Sequence, residues 1–242
     1  AVNGQSLTID NYQSLLYNDA VTNFTFGLAT LSGGQFTNTN ETKTARAITF
    51  QEDPVLKDSV YTIGGRKIGY FVYTRFIAAP NGSNVATFNQ KMDAVFAKFK
   101  AAGVNELVLD LRYNLGGQAT ASDNLINLVG KASPGNLMYY RQYNPQVQAD
   151  AQRQFGANFG RTFFSTKAQN IGANLSRVYV LVTGRSASAS ELTINALKPY
   201  MPVVLIGETT YGKNVGSITI SDDRKLTDES QRIKWGLQPI VT

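Results

Sequence analysis

The chain has 242 residues, 43% of them hydrophobic, and carries 23 Lys and Arg against 17 Asp and Glu, for a formal charge of +6. It contains neither histidine nor cysteine, which excludes a Ser-His-Asp triad, a thiol nucleophile and a disulfide scaffold, and removes the usual ligands of a zinc site. The basic residues are scattered with no run of three, against a nucleic-acid partner, and no apolar run approaches the roughly 20 residues of a membrane span.

Residues 1–52 read as β-rich. Ala1 to Gly4 suits a strand end and a turn, and Asp10 to Tyr17 a short helix capped by Asp10. Thr22 to Ala29 and Ala45 to Phe50 suit strands, and the Gly-, Asn- and Thr-rich residues 32–43 a loose hairpin or disordered tip. The run AVNGQSLTIDNYQSLL resembles the second half of a PDZ domain, a peptide-binding module whose first half is missing here. That implies a piece of a longer chain; a small unrelated β-rich cap is the alternative.

From Val60 the apolar spacing changes. Tyr61 to Ile63, the Gly64-Gly65 pair and Lys67 to Tyr73 predict a hairpin. Phe88, Met92, Val95, Phe96 and Phe99 recur at helical spacing, the stripe of a core-facing helix. Leu107 to Arg112 is an apolar run suited to a buried strand, in which Asp110 and Arg112 alternate and are read as a half-buried ion pair. Asn114-Leu115-Gly116-Gly117 then turns the chain into a helix over Thr120 to Val129. Two glycines there suit either a plain strand-to-helix turn or a loop whose N–H groups approach a substrate.

Residues 131–176 say least. Tyr139, Tyr140, Arg141 and Tyr143 mix aromatic and basic character and are read as an exposed loop or lid with substrate contacts.

Val178 to Thr183 reads as a strand, followed by a small-residue turn, a helix entered at Ser188 or Ala189, a strand from Val203 to Gly207, and a Thr/Gly loop ending in Lys213. A serine at a helix N-terminus meets unpaired N–H groups and a dipole that favour developing negative charge. Without histidine its base has to be another group, and a lysine neutralised by burial is the known substitute. Lys213 follows Ser188 by one helix and one strand, which returns it to the same end of the sheet. Ser186, Ser188 and Ser190 compete for the nucleophile, and from the residues alone the favoured reading is that all three simply cap the helix.

Three motifs in order, LVLDLRYNLGG (Leu107 to Gly117), SASASE (Ser186 to Glu191) and ETTYGK (Glu208 to Lys213), resemble those of the carboxy-terminal processing proteases, serine peptidases with a Ser-Lys dyad. The resemblance runs from about Tyr61 to Ile220. It implies a mixed α/β fold, a ClpP/crotonase-like β-β-α superhelical protease core over residues 53–242, preceded by the partial PDZ-like segment 1–52. It further implies Ser188 as nucleophile, Lys213 as base, an oxyanion hole from Ala189 with Gly116 or Gly117, and support from Thr210 and Glu191. The lysine pKa would have to fall from about 10.4 towards neutrality, with Val204, Leu205 and Ile206 as candidate lining. Relatives place a glutamine four residues after the lysine, where this chain has Ser217, a weaker candidate partner for the amine.

The same resemblance implies no cofactor, substrates that are unfolded or C-terminally marked proteins or peptides, and a periplasmic or cell-envelope location. A catalytically silent peptide-binding or scaffold protein of the same fold is the first alternative; a crotonase-like acyl-CoA enzyme is the second. From Ile218 the chain reads as a strand, a charged turn over Asp222 to Arg224, and a strand from about Ile233, with Trp235 packed in the core as the favoured reading and lining the substrate groove as the alternative. Relatives continue past this point, so both ends are expected to be cut.

Overall fold

Two Gly-Gly pairs fold the early part of the chain into hairpins. Gly33-Gly34 (φ 57° and 79°) and Gly64-Gly65 (φ 56° and 77°) carry positive φ at both positions, the backbone that a two-residue hairpin turn demands and that a Cβ resists. In the computed structural model, which describes residues 1–18, 20–220 and 236–242, the first pair joins β1 (Asn23–Ser32) to β2 (Gln35–Arg46). Residues 32–43 thus form the expected hairpin as a paired ladder rather than a disordered tip; a register shift opposite Gly27 and Ala29 leaves residues 39–41 outside the pairs, and β-branched Thr37, Thr42 and Thr44 suit the pleat on either side of it. The strand expected over 45–50 stops at Arg46. A five-residue helix, α1 (Tyr12–Leu16), precedes the hairpin. Its cap position belongs to Asn11, not Asp10, and the Asn11 side chain accepts the N–H of Thr8 at 2.7 Å.

Residues 1–52 form one unit and residues 53–242 a second. In the second, Gly64-Gly65 joins β3 (Val55–Ile63) to β4 (Arg66–Tyr73). There follow α2 (Thr87–Ala102), β5 (Glu106–Asp110), α3 (Ala119–Val129), β6 (Leu137–Tyr140), α4 (Pro145–Phe155), β7 (Arg161–Phe163), β8 (Val178–Val182), α5 (Ala189–Leu197) and β9 (Val203–Gly207). The main sheet has the order β3-β4-β5-β8-β9, antiparallel between β3 and β4 and parallel from β4 onward. This is a mixed α/β fold in which spatial order repeats chain order. Each parallel step in one direction needs a crossover, and crossovers of one hand put their helices on one face.

Burial shows which face that is. Leu107, Leu109, Val178, Val180 and Val182 are buried, while Val108, Tyr179 and Leu181, which alternate with them, are part-exposed. All five apolar residues of the predicted helical stripe, Phe88, Met92, Val95, Phe96 and Phe99, are buried on α2. Gly69 of β4 lets that helix close on the sheet, since a Cβ there would lie 3.2 Å from the Phe99 ring and 3.1 Å from Val104. Phe71 meets Phe96 edge to face at 5.5 Å between centroids.

The region 131–176 is more ordered than its sequence suggested. β6 and β7 pair antiparallel around α4, whose N-cap Asn144 accepts the N–H of Val147 at 2.9 Å and whose first residue is Pro145, a helix-start signature already present in the sequence. At the C-terminus Ser217 bridges to Ile240 and Ile220 to Leu237. The expected turn over Asp222 to Arg224, the strand from Ile233 and the packing of Trp235 fall outside the described residues. Among those described, no helix is long and apolar enough to cross a membrane.

Candidate active site

The site gathers where β5 and β8 end. Between β8 and α5 the turn Thr183 to Ser188 is stitched to the loop leaving β5. The Thr183 hydroxyl donates to Arg112 O at 2.6 Å, the Ser186 hydroxyl to Leu111 O at 2.8 Å, and the Ser190 hydroxyl to Asn114 O at 2.9 Å. Ser186 and Ser190 are fully buried. Their side chains hold two loops together, which leaves Ser188 alone of the three with a hydroxyl that donates to no acceptor among the described residues.

Ser188 is also held in an unusual backbone. At φ 56° and ψ −112° it occupies a conformation that residues with a Cβ avoid, at a cost of about 1–3 kcal/mol. It stands at the N-cap of α5, half-buried, with Ala189 as the first helical residue. A serine forced into a sharp strand-to-helix turn projects its hydroxyl clear of the sheet, the geometry of a nucleophile elbow.

The glycine loop faces it. Gly116 has φ 97°, and a Cβ there would lie 2.6 Å from Ala187 O, 2.7 Å from Ser188 Cβ and 2.9 Å from Ala189 N. Gly117 has φ 141°, and its Cβ would lie 2.1 Å from Phe76 O; only glycine fits either position. The two differ in what their N–H groups do. That of Gly116 donates to the side chain of Asn114 at 2.8 Å, whereas those of Gly117 and Ala189 meet no acceptor among the described residues.

Asn114 was read from sequence only as part of a turn, and its reach is wider. Fully buried, it donates from its amide to Tyr73 O at 2.9 Å while its Oδ1 accepts from Gly116. Its own carbonyl accepts the Ala187 N–H at 3.2 Å and the Ser190 hydroxyl. One side chain and one carbonyl thus join the end of β4, the glycine loop and the serine turn.

Glu191 makes the third connection. Its carboxylate accepts the N–H of Ser188 at 2.8 Å, of Gly212 at 2.6 Å and of Lys213 at 2.9 Å. Burial pushes its pKa up, but the Thr210 hydroxyl and these three N–H groups outweigh burial and hold the carboxyl below its ordinary value. The lysine loop is tied to the serine turn twice more, through Tyr211 N–H to Ser186 O at 3.0 Å and Gly184 N–H to Glu208 at 3.1 Å.

Two expectations are corrected here. Lys213 is exposed rather than set in an apolar pocket, and Val204, Leu205 and Ile206 lie on the outer strand β9 with 37%, 42% and 49% of their surface open. An edge strand has a neighbour on one side only, so it walls no pocket. Ser217 is half-buried in its bridge to Ile240, and no hydrogen bond joins it to the Lys213 amine among the described residues. The half-buried ion pair is found: Arg112 grips Asp110 at 2.7–3.2 Å and Tyr70 donates to the same carboxylate at 2.7 Å. Burial raises the Asp110 pKa, and those bonds overcome it and hold the group low. No group of three or more acidic residues is placed to hold a metal ion among the described residues.

Known proteins resemble this chain in sequence and fold. The chloroplastic carboxyl-terminal-processing peptidase 1 of Arabidopsis thaliana is 30% identical over 152 residues, covering 63% of this chain and 26% of that protein. A solved structure described as an S41 protease from Bacteroides fragilis is 27% identical with a TM-score of 0.68, over 100% of this chain and 59% of its own. The photosystem II D1 C-terminal processing protease shares the fold at 20% identity and a TM-score of 0.50, over 75% of this chain and 43% of its own. The chain therefore spans about a quarter of the curated relative's length and less than two thirds of either solved one. The profile of Peptidase family S41 matches residues 67–230, from β4 past the lysine loop. By that match the chain belongs to peptidase family S41.

Proposed function

We propose that the protein is a serine endopeptidase in which Ser188 and Lys213 form a catalytic dyad and the N–H groups of Gly117 and Ala189 form the oxyanion hole. The observation that carries this reading is Ser188 itself, held at φ 56° on a helix N-terminus while its two neighbouring serines are spent on binding the loops. Neutral Lys213 takes the Ser188 proton as Oγ bonds to the scissile carbonyl carbon, and the two N–H groups hold the resulting oxyanion. The lysine ammonium then protonates the departing amine, and water repeats the sequence to release the acyl group. Gly116 serves by closeness rather than by its N–H, which Asn114 occupies.

A polypeptide lying over the exposed Lys213 supplies the desolvation that a neutral lysine needs. The substrates are unfolded or C-terminally marked proteins, a reading that rests on likeness to carboxyl-terminal-processing peptidases. The exposure of the Lys213 amine, with no bond to Ser188, also favours a second reading, a peptide-binding member of the family without turnover.

The deciding experiment uses the full-length protein and its Ser188→Ala and Lys213→Ala variants, assayed by fluorophosphonate labelling and by hydrolysis of casein. Labelling and hydrolysis lost in both variants support the dyad. A wild type that is folded but neither labels nor cuts establishes the binding protein instead, and full activity in Lys213→Ala removes the lysine from the mechanism.

A further inference from the structure

The lobe of β6, α4 and β7 carries a groove that the proposed chemistry does not use. It is an open depression of about 460 Å³, with Gln148 and Gln152 of α4 on one side and Arg141, Tyr143, Phe159 and Arg161 around the rest. No Asp or Glu lines it, and neither arginine forms an ion pair with a carboxylate among the described residues. The one acid on α4, Asp150, is already paired with Arg153.

The groove is built before any ligand arrives. Arg141 N–H donates to Gly160 O at 2.7 Å, and Gly160 has φ 82° where a Cβ would lie 2.8 Å from Arg141 O. The rings of Tyr143 and Phe159 meet at 5.1 Å, and Gln148 bridges both residues through Tyr143 N–H and Phe159 O. The Arg141 guanidinium lies 5.6 Å over the Tyr139 ring and donates to its hydroxyl at 3.1 Å, which in turn donates to Asp123 of α3 at 2.8 Å. Asp123 is thus satisfied behind Tyr139, and Arg141 is aimed by it. Through Asp123 and the bond from the Tyr200 hydroxyl to Leu137 O, the lobe is fixed to α3 and to the residues after α5. Those are the helices that begin at the glycine loop and at Ser188.

We propose that this groove is an accessory binding site for an acidic stretch of the polypeptide substrate. Asp or Glu side chains pair with Arg141 and Arg161, and the adjoining chain lies on the rings of Tyr143 and Phe159. Guanidinium forks matched to carboxylates, with carboxamides in place of competing acids, give the groove its charge complementarity. The proposal rests on the peptidase reading for the nature of its ligand, though not for binding itself.

The test measures fluorescence anisotropy with the full-length Ser188→Ala protein, which cannot turn substrate over. Three labelled peptides are compared: one rich in Asp with an amidated end, its Asn counterpart, and the Asn peptide with a free C-terminal carboxylate. The acidic peptide is expected to bind at least about tenfold tighter than the other two, to weaken as salt rises, and to lose that advantage in Arg141→Gln/Arg161→Gln. In the active protein the same pair of substitutions lowers kcat/KM for acidic relative to neutral substrates through KM.

Equal binding of the three peptides, preference for the free carboxylate alone, an unchanged preference in the arginine variant, or displacement by a single-stranded oligonucleotide more tightly than by the acidic peptide would each overturn the proposal. Selective binding without hydrolysis in wild type keeps the groove and removes the peptidase; hydrolysis with no charge preference does the reverse.

Discussion

The backbone N–H groups of Ser188 and Lys213 donate to one and the same atom, Oε2 of Glu191, at 2.8 and 2.9 Å. A single carboxylate therefore sets the spacing of the two loops that carry the proposed dyad. Glu191→Ala removes an acceptor from three N–H groups and a hydroxyl, and is expected to cost roughly 2–4 kcal/mol in urea unfolding and to slow Ser188 labelling. Glu191→Gln keeps the shape without the charge and should cost about half of that.

The same group makes a pH prediction. Its folded pKa lies below the ordinary carboxyl value, so its contribution is complete above the unfolded pKa of about 4.3 and is lost as pH falls through the lower folded value. Wild type should lose stability to acid below about pH 4 more steeply than Glu191→Gln. Parallel curves for the two proteins would contradict the assignment.

Strain at Ser188 predicts a gain from an inactivating change. Ser188→Gly relieves the positive φ, and after the entropy cost of glycine it should raise stability by about 0.5–1 kcal/mol while abolishing labelling. Ser186→Ala should do the opposite, costing about 1–2 kcal/mol by leaving Leu111 O and Thr183 N–H short of a partner, yet retaining labelling. Denaturation midpoints of the two variants on the same side of wild type would refute the contrast.

Asn114 predicts a conditional variant. In Asn114→Asp a neutral carboxyl can still donate to Tyr73 O and accept from Gly116, whereas a carboxylate cannot donate and faces a carbonyl oxygen. Burial raises the folded pKa of that new acid, so its penalty relative to wild type should be small below the unfolded value of about 3.9 and grow as pH rises from there. Asn114→Ala should lose roughly 2–3 kcal/mol with no such pH dependence. Chemical denaturation between pH 3 and pH 8 separates the two patterns.

The glycine loop tolerates no side chain. Gly117→Ala sets a Cβ 2.1 Å from Phe76 O, so the loop must move and carry its N–H away from Ser188. A fall in labelling rate of at least about 10²-fold is expected, the usual cost of one oxyanion donor, with circular dichroism still showing a folded protein.

Much of this was legible in the sequence where a pattern is local. The buried stripe of α2, the Gly64-Gly65 turn and the apolar strand β5 follow from spacing alone. In residues 32–43 the hairpin is legible in Gly33-Gly34, whereas the length of its strands depends on the β-branched threonines, which Asn and Gly obscure. Helix α4 was announced by Asn144-Pro145 and overlooked among aromatic and basic neighbours. Asn114 could not have been singled out, since an asparagine before Leu-Gly-Gly looks like an ordinary turn residue. Apart from nearby Gly116, its partners, Tyr73, Ala187 and Ser190, come from two distant segments. What sets Ser188 apart from its two neighbours is likewise long-range, the bonds of Ser186 to Leu111 and of Ser190 to Asn114, which no periodicity encodes.

The order β3-β4-β5-β8-β9 also has a bearing on synthesis. A ribosome delivers these strands in the sequence in which they lie side by side, so each docks on the free edge of its predecessor and none is threaded between partners already paired. The glycine loop and the serine turn leave the exit tunnel before β9, and Lys213 follows β9. Among the described residues β9 is the last strand of this sheet to be made, so the two members of the proposed dyad are brought together only once it has docked.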